Sequence, residues 1–339
     1  MHCGVTRLVN AMLPKWSRTS PVMRPPRHAE WLGEAVTIIY IAAIGFVAQF
    51  TGFAYILFPE LGALSHDILK RPHGTWARAP LMLVVTPLLT GTVGTLITRH
   101  LAYGLPSILV TVICAVAIIR ILKSPIAPAI SAGLLPLTLG VTSWWYPPSL
   151  LIGTVALAVI SLLWRRIFPP PPSAGSPADR ADDIVEEPPI GFSHVPFFFG
   201  FLLLAAAIAG ATGWRFVLFP PLVVIGFEMF AHSAVCPWAG RPLVLPIACA
   251  LTAAGGVLLV HLFGAGLLAA ACSIGFGVAT LRLFDLHVPP ALAVGLLPFV
   301  IANPGYRFSI FVGVGTLLLT TCFLAWRAMN AWSCRSTTM

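Results

Sequence analysis

Charge is what this sequence has least of. Only 9% of its residues are Asp, Glu, Lys or Arg, against roughly 25% in ordinary soluble domains, and 58% are hydrophobic. Such a chain lacks the polar surface to cover a water-soluble globule. Acids are scarcest, eleven in 339 residues against twenty Lys and Arg. The resulting net charge of +9 is scattered in small groups at the ends of apolar runs. That placement orients a chain in a bilayer and excludes the basic patch of a nucleic-acid-binding protein. Missing too are an HExxH motif, a Cys/His cluster, a Walker loop and a nucleophile elbow. No catalytic residue, metal site or cofactor is therefore expected, and the protein is not expected to be an enzyme. The seven cysteines show no metal or redox spacing; four lie within apolar runs and read as free, packed thiols. Residues 1–33 carry Arg7, Lys15, Arg18, Arg24 and Arg27 with no acid before Glu30. They lack the apolar core of a secretory signal, and a cytoplasmic basic tail is a simpler reading than a transit peptide.

What the chain does have is a succession of apolar runs approaching the roughly 20 residues that cross a bilayer. They fall at about 34–51, 53–69, 79–98, 105–122, 125–143 and 148–164, and again at 195–211, 216–231, 242–261, 266–283, 286–303 and 308–326. This predicts an all-α, polytopic transmembrane helical bundle. Residues 168–194 interrupt it with a proline run and five of the eleven acids, the composition of a solvated linker. The expected organisation is a basic tail (1–33), a first membrane repeat (34–167), the Pro-rich acidic linker (168–194), a second repeat (195–327) and a tail (328–339). Each repeat holds five to six segments, some broken or half-length. With six crossings per repeat the positive-inside rule puts both termini and the linker in the cytoplasm and makes the repeats parallel; with five they are inverted. The location is the cell membrane, the inner one in a Gram-negative cell, with lipid as the surrounding partner and a homo-oligomer left open.

The two halves match at a constant offset. "PAISAGLLP" (128–136) reappears as "PALAVGLLP" (290–298), "TWARAPL" (75–81) as "PWAGRPL" (237–243), and "ILFPELG" (56–62) as "VLFPPLV" (217–223). Gly94, Gly104 and Arg120 pair with Gly256, Gly266 and Arg282. A spacing of 161–162 residues held over some eighty positions is a signal of duplication.

The recurring prolines carry the functional reading. Inside a helix a proline removes a backbone hydrogen bond, at about 3 kcal/mol in an exposed interior. In lipid such breaks are tolerated where protein or a hydrated cavity satisfies the backbone. Pro128 and Pro290 suit a helix's first turn, Gly133 and Gly295 allow close helix contact, and Pro136 and Pro298 kink or end the segment. A short helix starting at membrane depth points its positive amino end at what precedes it, the anion site of discontinuous-helix transporters. We therefore take Pro128, Ala129, Gly133, His287, Pro289, Pro290, Ala291 and Gly295, with Pro59 and Pro220 of the FP motifs, as candidate substrate-binding residues. Arg120 and Arg282 serve either as cytoplasmic anchors or as an electropositive mouth, Asp285 being the expected partner of Arg282. Glu60, Asp67 and Glu228, in which Asp67 aligns with Glu228, are either proton-coupling groups or partners of Lys70, Arg71 or a helix end.

Taken together, "FPELGA" (58–63), "FPPL" (219–222), "WAGRP" (238–242) and "HVPPALAVGLLPF" (287–299) resemble the HPP family of integral membrane proteins, named for a His-Pro-Pro motif. The chain looks like two fused family units, over roughly 56–141 and 217–303. Here Val288 separates His287 from Pro289, and the first copy has no histidine at the matching place. Members linked to nitrite transport imply a transporter or channel-like permease for a small anion, nitrite first. Two rivals stand beside it: a non-transporting membrane scaffold or sensor, and a proton-coupled carrier of a neutral or cationic solute centred on Glu60, Asp67 and Glu228.

Overall fold

A computed structural model describes residues 27–168, 177–187, 189, 191 and 193–336. The amino-terminal part of the basic tail, the proline run and the last three residues lie outside them. Among the described residues the protein is all-helical. Seven helices are long and apolar enough to cross a membrane, which makes this a multi-pass membrane protein. Large apolar side chains such as Phe50, Ile121 and Leu283 stay about four-fifths exposed, as lipid-facing residues do.

In the first half the order is α1 (Arg27–Thr51), a 3-10 turn (Ala54–Ile56), a short α2 (Glu60–Lys70), α3 (Pro80–His100), α4 (Leu105–Leu122), a short α5 (Ala129–Leu139) and α6 (Tyr146–Ile167). After α7 (Pro177–Glu186) comes α8 (Val195–Thr212), a 3-10 turn (Arg215–Leu218), a short α9 (Pro220–Ala231), α10 (Leu245–Phe263) and α11 (Leu267–Leu283). A short α12 (Pro290–Leu296) runs into a 3-10 turn (Leu297–Phe299), and α13 (Arg307–Ser336) closes the chain. Both halves share the order long, turn, short, long, long, short, long, to which the second adds 3-10 turns at Pro237–Gly240 and Leu297–Phe299. Prolines begin many of these helices, where the missing amide had no partner to lose. Gly140 ends α5 in the left-handed conformation that L side chains avoid. The first and last helices reach into both segments read as tails, α1 starting at Arg27 and α13 ending at Ser336.

Packing interleaves the halves. The first helix of the chain, α1, lies against α11 of the other half, while α8 rests mainly on its own half and touches α4. The short helices also cross over, α2 packing on α12 and α9 on α5. All four are buried almost throughout, so the broken segments form the centre and the long helices the wall. Glycines permit the tightest crossings. A Cβ added at Gly94 of α3 would run into the backbone of Gly133 on α5, and one at Gly256 of α10 into that of Gly295 on α12. Most span hydroxyls are absorbed locally: Thr95, Thr111, Thr154 and Thr316 each donate to the carbonyl four residues earlier.

Side-chain contacts sort the loops into two ends. At one end Arg282 (α11) binds Glu34 (α1) at 2.6 Å, and the Trp164 indole (α6) donates to Leu69 O in the last turn of α2 at 3.0 Å. There too Trp76 Nε1 donates to Pro125 O at 3.0 Å. At the opposite end Arg99 donates to Thr142 O at 2.7 Å, Tyr103 donates to Arg215 O at 3.3 Å, and His261 meets Pro304 O at 2.8 Å.

Candidate functional site

The acid-rich stretch expected to be solvated is instead docked. α7 lies across the end that holds Lys70, with Val185 and Glu186 only 5% and 6% exposed. Arg71 fastens it. Its guanidinium donates to Asp67 Oδ1 at 2.7 Å, one turn back on α2, and to Asp183 Oδ1 at 3.2 Å and Glu186 Oε1 on α7. Glu186 Oε2 accepts the Trp76 amide at 3.2 Å, and Asp183 accepts that of Thr75 at 3.0 Å. The acids at 182 and 186 share one helix face. The reason for docking is electrostatic: a buried arginine needs carboxylates, and α7 supplies them.

Below α7 is a small hollow with room for little more than a water-sized particle. Asp182 and Glu186 roof it, while Glu228, Trp238, His287 and Pro290 are among the residues lining it. Both oxygens of Glu228 and the Nε1 of Trp238 are buried without a hydrogen-bond partner. His287 Nε2 lies 3.3 Å from Asp182 Oδ2. Burial pushes the Asp182 carboxyl up to about 7, against the opposing pull of Arg71. A second hollow at the opposite end is lined by Gln49, Gly52, Leu57, Ala265 and Phe299 among others. The single segment from Pro290 to Phe299 therefore touches one hollow at each of its ends.

The residues singled out from sequence fall into separate groups. Pro289, Pro290, His287 and Glu228 meet at the first hollow, and Ala291 and Gly295 continue the same buried helix. Pro128, Ala129 and Gly133 are buried in and before α5 and line neither hollow. Pro59 and Pro220 begin the short helices α2 and α9. Glu60, in the first turn of α2, is wholly buried; Ser131 of α5 lies near enough to act on it, but neither carboxylate oxygen has a hydrogen bond in good geometry. Asp67 pairs with Arg71. Arg120 donates to Gly191 O at 3.4 Å. One pairing differs from expectation. Asp285 binds Arg241 at 3.2 Å, while Arg282 turns to Glu34 and stacks over Trp31 at 3.9 Å. Asp285 terminates its helix with positive φ and so leaves the turn on which Arg282 sits.

Sequence reasoning named Arg71 as a possible partner of the buried acids, which its pairing with Asp67 matches, but gave no role to Trp76, Trp238, Asp182 or Glu186. The matched tryptophans in "TWARAPL" and "PWAGRPL" and the four-residue spacing of Asp182 and Glu186 were the available signals. Glu34 was also unassigned; it joins α1 to Arg282 and lies 3.9 Å from His66 Nε2. Among the described residues no three His, Cys, Asp or Glu side chains converge as metal ligands. Cys114, Cys236, Cys249, Cys272 and Cys322 are free thiols. No family model, curated protein or solved structure matches the chain.

Proposed function

We propose that the protein is a proton-coupled membrane carrier of a small cationic or neutral solute, working at the interface of two duplicated halves. One observation carries the reading: Glu60 and Glu228 are 0% and 1% exposed, lack hydrogen-bond partners, and sit on short helices packed between the halves. A charged carboxylate without a partner is costly to bury, so such groups persist in membrane proteins where protons or solutes are handled. Broken helices beside them supply the irregular backbone that lines a path. In this reading all six segments of each half traverse the bilayer, the short helices completed by their flanking turns. The even count returns the linker to the side from which the chain started, and the halves run parallel.

The anion permease implied by the HPP resemblance is the competing proposal, and the amino end of α12 beside the hollow favours it. Three carboxylates around that hollow oppose a negative solute. Uptake into proteoliposomes under an imposed pH gradient separates the two. A carrier of the proposed kind moves a cation or neutral solute with protons, and Glu60→Gln and Glu228→Gln each abolish the pH-driven uptake. Transport of nitrite, nitrate or formate that survives both substitutions overturns the proposal.

A further inference from the structure

The first hollow brings together an unpaired donor, the Trp238 N–H, and an unpaired acceptor pair, the Glu228 carboxylate, both buried. Buried polar groups of opposite hydrogen-bonding sense around a space of one water's size are what a bridging water satisfies, given two to four polar partners. Asp182, on the opposite wall, gives it a third. Beyond Asp182 lies His287, whose side chain is 28% exposed while that of Asp182 is 12% exposed. Together these form a ladder from solvent to the deep carboxylate: a partly exposed imidazole, an acid in contact with it, a water-sized gap, and Glu228.

We infer that His287 and Asp182 form the port through which a proton reaches Glu228, passing across one water bound by Trp238. The inference rests on the proposed carrier reading and assigns its proton route on the linker side. In the inward step Asp182 gives its proton to the water, and the water gives another of its protons to a Glu228 oxygen. Asp182 is left as a carboxylate and is reprotonated from solvent through His287, so no charge is created without a partner nearby. Glu186 cannot substitute for Asp182, because its two oxygens are taken by Arg71 and the Trp76 amide. The titratable and charged groups facing this path are Lys70, Asp67 and His66 on α2, Arg71 just after it, Asp179 and Glu186 on α7, Cys236 after α9, and Glu60 acting on Glu228. The position of Asp182 near neutrality suits a group that loads and unloads at physiological pH.

The test is pH-jump infrared spectroscopy on the detergent-purified full chain, which needs no transport. The carboxyl band lost in Glu228→Gln marks Glu228. In Asp182→Asn, which keeps the shape of the side chain, the rate of proton uptake at that band falls at least tenfold; His287→Gln and Trp238→Phe slow it by a similar factor. Glu228 protonating as fast in these variants as in the wild type overturns the port, whatever the proteoliposomes do. Conversely, slowed protonation in a protein that moves no solute supports the port and refutes only the carrier. Helical content measured on each variant separates a lost port from a lost fold, and a folded Trp238→Phe protein keeps the test decisive should Asp182→Asn not assemble.

Discussion

The two halves treat the same position in opposite ways. In the first, Asp67 on α2 is followed four residues later by Arg71, and the pair is closed at 2.7 Å. In the second, Glu228 on α9 is followed four residues later by His232, and neither the carboxylate nor the imidazole Nε2 has a hydrogen-bond partner. One half has made its buried acid into a structural ion pair that anchors α7. The other has left its acid open toward a hollow. The same close glycine crossing, Gly94 on Gly133 and Gly256 on Gly295, thus stands beside unlike treatment of the acids: one is paired and the other is not.

Removing the bases tests this contrast most severely. Arg71→Ala strands Asp67 and Glu186 in buried positions, and loss of one partner from a buried pair costs about 3–5 kcal/mol; His232→Ala breaks no such pair and costs under about 1 kcal/mol. Thermal unfolding of the purified variants measures both. Equal losses in the two halves would remove the asymmetry. Next in size are the scaffold positions. Gly94→Ala and Gly256→Ala each force a methyl group against unyielding backbone, so each loses roughly 1–3 kcal/mol, the usual cost of overpacking, and the two losses agree within about 0.5 kcal/mol. A large loss in one half alone shows that the crossings do not play matched roles.

The smallest effect is pH dependence of α7 docking. Its sign follows from Asp182, whose carboxyl stands at about 7 when docked and at its ordinary, lower value when free. The docked state therefore holds the proton more tightly, and docking weakens as pH rises through 7, by at most about 1.4 kcal/mol per unit. A Val185→Cys probe in a cysteine-free chain reacts faster with a thiol reagent as pH goes from 6 to 7, after correction for the reagent's own pH dependence, and levels off by 8. Asp182→Asn flattens the curve. A slope of opposite sign would place the controlling group elsewhere.

Much of this architecture is written in local pattern. The apolar runs read at 105–122, 195–211 and 266–283 match α4, α8 and α11 to within a residue, because helix length and hydropathy are local properties. Pro128 and Pro290 start α5 and α12 for the same reason. Pro298 lies in the turn that ends its segment, while Pro136 is carried inside a helix that continues to Leu139. What local pattern does not contain is pairing across distance. Arg71 finds Asp183 and Glu186 more than a hundred residues away, and Arg282 prefers Glu34 to its near neighbour Asp285. The linker's composition reads as solvated since five acids on one short stretch suit water; only the placement of Arg71 makes them worth burying. Trp238 and Glu228 meet through tertiary packing alone.

The packing of α1 and α2 on the other half has a consequence for how the protein is made. When α1 and α2 leave the ribosome, the helices on which they rest, α11 and α12, have not been synthesised. At 5–20 residues per second the wait lasts roughly ten to forty seconds. During it Glu34 is without Arg282, its partner in the finished fold.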